Sequence, residues 1–302
     1  LILNTSDNKG RAAIAARRLL HALVKCGHEA RMLVRDKNTD DALVTSVGDN
    51  GYGIRTRLSK AVDRLHVFAA NGFMLDKLWL ADSGSFGCRV ADHPLVQWAD
   101  VILLHWVNQG FMSLDEIGKI LRKGKRVVWT MHDMWPATGI CHHAVDCVRF
   151  HTAPDNYGGG CHHCEQLCRP SARDLSQRVF ARKAQMYAGA DIVFVACSRW
   201  LAGQARRSAL LADKRIVDIP NTIDTELFSP DKRTVGERRR ILFSSANVSD
   251  ERKGMSYLVE ACSLLSDLKD DAEVVVLGGH SDRVSGMVPF RVRCVAYLSD
   301  PT

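Results

Sequence analysis

Four cysteines and five histidines fall within the twenty-four residues Cys141–Cys164, CHHAVDCVRFHTAPDNYGGGCHHC. The thiols are spaced Cys-x5-Cys, Cys-x13-Cys and Cys-x2-Cys, at Cys141, Cys147, Cys161 and Cys164. Four thiolates in a reducing compartment suit a tetrahedral Zn²⁺, and such a closed site has no open position, so it would be structural. Three thiolates with a histidine, two disulfides, or free thiols use the same residues. We read the stretch as a structural staple, with zinc as one form of it and no catalytic metal.

Immediately ahead stands WTMHDMW, in which His132 and Asp133 follow an apolar run. A His–Asp pair at a strand end can donate to or accept from a sugar hydroxyl or a phosphate. Two other segments have the composition of anion sites. After the opening strand, NTSDNKGRAA leads into a helix whose first amides can hold an anion. After a later strand, NVSDERKGM sets Arg252 and Lys253 before a helix, facing a possible diphosphate.

These residues need elements to carry them, and the apolar pattern supplies a consistent set. Continuous apolar strands are expected at 1–3, 29–35, 101–107, 126–131, 191–197 and 215–220. Helix-period segments lie at 12–27, 113–123, 175–188 and 199–210, with Gly27 at a helix C-terminus. Alternation of this kind predicts an α/β fold with a parallel sheet covered on both faces. The grammar restarts near Leu227 with a strand at 240–248, a helix at 253–268 and a strand at 272–279. VRCVAYLSDPT then reads as a third strand. The expected organisation is a domain at 1–226, with a Cys-rich insertion at 141–168, and a partial domain at 227–302 that is short for a complete one. Residues 36–95 read as helix plus a long surface segment, without assigned chemistry.

The totals exclude several classes. No apolar run is long enough to span a bilayer, and no charged-then-apolar leader opens the chain. Six of the ten cysteines are scattered singly, several in apolar runs, which fits a reducing compartment and a cytoplasmic location. The formal net charge of +7 suits an acidic partner such as a nucleotide or phospholipid headgroups. A zinc-bearing nucleic-acid module would show aromatics interleaved with basic residues on an exposed sheet. Here most aromatics lie in apolar strands, and no nucleic acid is expected.

Seven segments, in order, resemble bacterial GT-B glycosyltransferases of family 4, in the branch related to colanic-acid and exopolysaccharide enzymes. They are LNTSDNKGRAAIAARRL, HPLVQWADVILLHWVNQGFMSLDEI, VVWTMHDMWPATGICHHAVDC, CHHCEQL, ACSRWLAGQARRSALL, IPNTIDTELFSP and SSANVSDERKGMSYL. The resemblance implies two Rossmann-like doubly wound domains facing a cleft, the first binding the acceptor and the second a nucleotide sugar. It implies transfer with retention and without a catalytic metal, to a saccharide or lipid-linked acceptor of bacterial surface-polysaccharide synthesis. Peripheral contact at the inner face of the plasma membrane would follow from a lipid-linked acceptor.

On the same resemblance, Asp7, Asn8, Lys9, Gly10 and Arg11 match the loop near the donor phosphates and acceptor. His132 matches the histidine near the transferred sugar, and Lys253 the lysine that neutralises the leaving diphosphate. Some positions depart from the family pattern. Lys9 and Arg11 stand in a loop that is usually glycine-rich, Thr222 replaces a common glycine, and Asn247 replaces an arginine. No Glu-x7-Glu follows Lys253. The expectation is that residues 1–302 alone turn over little or no donor, and an inactive fragment or zinc-bearing binding module is the alternative.

Overall fold

Alternation along the strands divides their side chains between two apolar layers. In the opening strand β1 (Ile2–Ser6), Ile2 joins Met32, Val34 and Leu103 on one face. Leu3 joins Leu33, Ile102 and Leu104 on the other. A sheet buried on both sides requires this pattern. The computed structural model describes residues 1–50, 53–153, 159–230 and 238–296. Residues 154–158 of the loop between the cysteine pairs, and 297–302 of the expected last strand, lie outside the described residues.

Two compact units divide the chain, Leu1–Asp224 and Thr225–Thr302. In the first, β1 is followed by α1 (Arg11–Lys25), β2 (Met32–Asp36), β3 (Val44–Ser46), α2 (Gly53–Ala70), α3 (Pro94–Trp98) and β4 (Val101–Leu104). Then come α4 (Leu114–Leu121), β5 (Arg126–Met131), α5 (Leu175–Tyr187), β6 (Ile192–Ala196), α6 (Arg199–Arg207) and β7 (Arg215–Asp218). All seven strands are parallel, in the order β3-β2-β1-β4-β5-β6-β7. The order reverses between β1 and β4, the switch point outside which α/β sheets bind ligands. Gly27 adopts φ 85° just past α1, and the His28 amide reaches back to the Leu23 carbonyl, as the C-terminal glycine predicts.

The second unit holds β8 (Arg239–Asn247), α7 (Met255–Leu264), β9 (Ala272–Gly279) and β10 (Arg291–Val295), with parallel strands in the order β10-β9-β8. Its core gathers Val248, Cys262, Val274, Val276, Val284 and Phe290. Gly278 sits at φ 142° where β8 shifts register, and a Cβ there would stand 1.7 Å from the Ser245 carbonyl oxygen. Only glycine permits that approach. Both units thus have the parallel α/β construction expected of a GT-B protein.

The segment 36–95 differs most from expectation. It contributes the strand β3, and much of the supposed surface segment is interior. Ala81, Asp82, Ser83, Val90 and Ala91 are all buried. Polar anchors pull it in, and these carry no hydrophobic periodicity. The Arg64 guanidinium meets Asp63 Oδ2 at 2.6 Å and Asp82 Oδ2 at 3.1 Å, and it donates to the carbonyls of Leu78 and Ala81. Burial and the Asp82 charge push Asp63 up to about 6, against the pull of Arg64. One cation thus balances two buried carboxylates. Arg64→Met strands both and is expected to cost about 3–5 kcal/mol. Chemical denaturation measures this, and a loss below about 1 kcal/mol would show that the network does not hold the segment.

Candidate functional site

β1, β4 and β5 are neighbours, so the residues leaving their carboxyl ends converge. The apolar run predicts β4 as far as Val107, but the strand ends at Leu104. His105 and Trp106 therefore stand at the sheet edge beside the β1 loop, and the Thr5 amide still bonds the Trp106 carbonyl at 2.9 Å. His105 is the functional candidate that sequence reasoning missed. Its signal, a histidine closing an apolar run, is hidden when the run is read as longer.

His105 Nδ1 and His132 Nε2 lie 2.9 Å apart and share one hydrogen, with the rings stacked at 5.2 Å. Burial pushes His105 down to about 3, with the neighbouring imidazole adding to the shift. Burial likewise pushes His132 down to about 4, against the Asp133 carboxylate. Both rings are neutral at pH 7. His105 Nε2 is buried without a partner. His132, half-buried, has Nε2 engaged, which leaves Nδ1 as the polar atom to offer a ligand.

Asp133 has a different role from the one its position suggests. Its Oδ2 accepts from Trp106 Nε1 at 2.9 Å and from His142 Nδ1 at 2.7 Å, and its Oδ1 accepts from the Trp135 amide at 2.9 Å. Although burial raises it, His142 and these donors hold the carboxyl below the ordinary range. Burial lowers His142, but Asp133 outweighs it and raises the imidazole overall. The saturated carboxylate orients Trp106 and ties the Cys-rich segment to the tip of β5.

The β1 loop divides similarly. Asp7 is fully buried and accepts from the amides of Asn38 and Thr39 and from the Thr39 hydroxyl, at 2.7–3.1 Å. These bonds outweigh burial and keep it ionised, so it clamps the loop after β2. Asn8 is different, because its Oδ1 is buried and unpartnered. On the loop after β4, Asn108 Nδ2 is also buried and unpartnered. Lys9 and Arg11 are exposed, and Gly10, at φ 92°, begins α1 without a side-chain cap. The first-turn amides of α1 therefore remain available to an anion. Asn8, Asn108 and His105 leave three polar atoms unpaired along the tips of β1 and β4. Buried polar groups otherwise find partners, and a ligand rich in hydroxyls would supply them.

In the second unit, β8 ends at Asn247, whose Oδ1 accepts from the Ser249 amide at 3.0 Å. Arg252 is bidentate on Asp250, at 2.9 and 2.8 Å. Lys253 ends the same turn without a carboxylate partner among the described residues. Gly254 at φ 79° then opens α7, again without a side-chain cap. A free ammonium beside uncapped amides attracts a diphosphate. Arg283, which no motif in the sequence marks, donates to Ser249 Oγ at 3.4 Å and adds a second cation there.

No disulfide joins the four cysteines of the opening cluster. Cys161 is buried in the main core and accepts from the Gly139 amide at 3.3 Å, and burial pushes its thiol up to about 12. Cys141 is held at about 7, chiefly by a hydrogen bond from Cys164. Lys183 Nζ, fully buried, donates to the carbonyls of Trp135, Thr138 and Gly139 at 2.5–2.9 Å and fixes the turn between Asp133 and the cysteines. Among the described residues no three His, Cys, Asp or Glu side chains are disposed to hold a metal ion as they stand.

Two results should follow. The folded protein keeps His105 and His132 neutral, whereas the unfolded chain takes up protons below about pH 6.5. Stability is therefore present above that pH and falls on acidification. Each imidazole should cost about 2 kcal/mol between pH 7 and pH 5, read from denaturant midpoints. A flat profile over that window would contradict the buried pair. Cys161→Ser places a hydroxyl in the core and should lower stability by about 2 kcal/mol. An unchanged melting temperature would remove the staple.

The profile of Glycosyltransferase Family 4 matches residues 12–227. No curated protein matches the chain. A solved structure described as an S. aureus MnaA–UDP co-structure aligns with 99% of this chain and 69% of its own, at 12% identity and a TM-score of 0.43. That likeness is too slight to carry a functional argument.

Proposed function

Because this chain belongs to glycosyltransferase family 4, we propose that it transfers a sugar from a nucleotide-sugar donor to a saccharide or lipid-linked acceptor, with retention, in the synthesis of a bacterial surface polysaccharide. The observation that carries this reading is the neutral His105–His132 pair beside unpaired polar atoms of Asn8 and Asn108, at the switch point of the first sheet. Such a surface accepts and donates hydrogen bonds without imposing charge, which suits sugar hydroxyls.

In the reaction, the bond from the anomeric carbon to the donor diphosphate breaks. A bond from that carbon to an acceptor oxygen forms, and the acceptor proton ends on the leaving phosphate or bulk base. The developing negative charge lies on the diphosphate. Lys253, the uncapped start of α7 and Arg283 are the groups of the second unit suited to stabilise it. His132, neutral, orients the transferred sugar through Nδ1, and His105 fixes its ring. Within the first unit, Asn8, Lys9 and the first amides of α1 are further groups suited to a polar or anionic ligand. Asp7 and Asp133 act by positioning. The Cys141–Cys164 segment serves as the structural staple of this site, with zinc as its proposed tetrahedral centre.

In a full-length version of the protein, His132→Ala should lower turnover about a hundredfold while nucleotide affinity stays nearly constant, and Lys253→Ala should weaken nucleotide-diphosphate binding about tenfold. Turnover is followed as product formed from a panel of nucleotide sugars, and affinity by calorimetry. Unchanged turnover in His132→Ala would remove that residue from the site. For the staple, elemental analysis should give about one zinc per chain, and less than about a tenth would show that the cysteines act as thiols.

A further inference from the structure

The loop after β2 is held more tightly than a connection needs. Asp7 accepts from the Asn38 amide at 2.9 Å, from the Thr39 amide at 2.9 Å and from the Thr39 hydroxyl at 2.7 Å. Asn38 Nδ2 adds bonds to Ser6 Oγ at 3.1 Å and to the Asp36 carbonyl at 2.9 Å. At the end of β3, Ser46 Oγ donates to the Arg35 carbonyl at 3.2 Å and accepts from the Gly48 amide at 3.1 Å. These bonds fix the walls of a cavity of about 940 Å³ at the carboxyl ends of β2 and β3, which Gly53, Thr56 and Lys60 of α2 also line. A rigid wall of this kind suits ligand recognition, because little ordering remains to be done on binding.

Three lysines line the cavity from three separate elements: Lys9 from the β1 loop, Lys37 from the loop after β2 and Lys60 from α2. None has a carboxylate partner among the described residues. Arg35 is bidentate on Asp36, at 2.9 and 2.6 Å, and Asp40 is the other carboxylate, so the lining is net positive. Single exposed lysines are ordinary. Three brought together without a partner repel one another and focus a positive potential into the cavity, and an anion relieves both. Lys60 also shows what lies beside the cavity. Its Nζ is 5.8 Å from the Trp79 ring, and the guanidinium of Arg64, one turn further along α2, is 5.5 Å from the same ring. Trp79 is 56% exposed. Leu58 and Val62 belong to a different cavity and take no part here. An exposed indole presents a flat apolar face that covers the C–H face of a pyranose and leaves the sugar hydroxyls to polar neighbours. One such neighbour is Thr56, whose hydroxyl is buried and without a hydrogen bond. The Cys88 thiol beside it is only a weak acceptor, so a ligand oxygen is the better partner.

We propose that this cavity binds an anionic saccharide, with its carboxylate or phosphate group among Lys9, Lys37 and Lys60 and a neighbouring sugar ring against Trp79. The guanidinium that would select a planar carboxylate, that of Arg35, is already tied to Asp36, so the cavity offers point charges that serve either anion. Lys9 belongs both to the cavity and to the β1 loop, so a saccharide held here extends toward the tips of β1 and β4. Naming it as the acceptor deepens the transferase reading above and rests on it; the preference for an anionic saccharide does not.

Binding of the whole chain to immobilised oligosaccharides tests this, comparing neutral, uronate-bearing and phosphate-bearing sets at one ionic strength. At least one anionic set should bind at least about tenfold more tightly than the neutral set, and the two anionic arms tell a carboxylate from a phosphate. Lys37→Gln with Lys60→Gln should abolish that preference of about tenfold. Lys25→Gln with Lys269→Gln removes the same formal charge from exposed positions elsewhere and should leave it intact. Trp79→Ala should weaken binding about fivefold in every set that binds. All five side chains are exposed, so the melting temperature should not move. Equal binding of neutral and anionic sets would overturn the proposal. So would a preference that survives the Lys37 and Lys60 changes, or one that the control variant loses equally. Binding unchanged in Trp79→Ala would overturn the assignment of a saccharide. If anionic saccharides bind as described but a full-length version transfers no sugar, the transferase reading fails alone. If sugar is transferred and no anionic preference is found, this inference fails alone.

Discussion

The contact between the buried imidazole of His105 and the half-buried imidazole of His132 is the constraint around which the first unit is organised. It requires β4 to stop at Leu104 and β5 at Met131, so that the following residues leave the sheet side by side. It also requires both rings to be neutral, because two adjacent buried cations would not be tolerated. Trp129 braces the pair from below by donating its indole N–H to the His105 carbonyl. From the other side, the Asp133 carboxylate holds Trp106 and His142. Burial thus has opposite consequences within one cluster. It prevails at His105 and His132, which have no carboxylate hydrogen-bonded to them, and is outweighed at His142 by Asp133.

The Cys-rich segment takes its meaning from this arrangement. Its first histidine completes the Asp133 cluster, and its carbonyl accepts from the Met134 amide at 2.9 Å. Lys183, anchored in α5, collects three carbonyls of the same turn. The segment beyond β5 is therefore held at three independent points, and the proposed staple secures the far end of what Asp133 secures at the near end. Rigidity is what a sugar-orienting surface requires, since small displacements cost much of the rate.

Period-two and helical apolar patterns make the strands and most helices legible in the sequence, because parallel sheets buried on both faces write themselves as apolar runs. The positions of His132, Lys253 and the β1 loop just beyond strands are legible for a related reason, since each follows an apolar run. What escapes is polar. The buried Asp63–Arg64–Asp82 network has no periodicity, so the segment it pulls inward reads as surface. Helix α2 presents a related difficulty, because Leu58 and Leu65 face solvent while Thr56, Ser59, Asp63 and Arg64 are buried beside Val67. The role of Asp133 cannot be read either, because a saturated and a ligand-facing carboxylate are spelled alike. His105 is lost through a strand end misplaced by three residues.

Site-resolved titration of His105 and His132 by imidazole nitrogen resonances tests the central claim most directly. The buried pair predicts that both rings remain neutral at pH 6, each as a single tautomer, with midpoints near 3 and 4. Midpoints near the ordinary value of about 6.5 for either ring would mean that the pair is solvated, and the geometry proposed for sugar recognition would not survive that result.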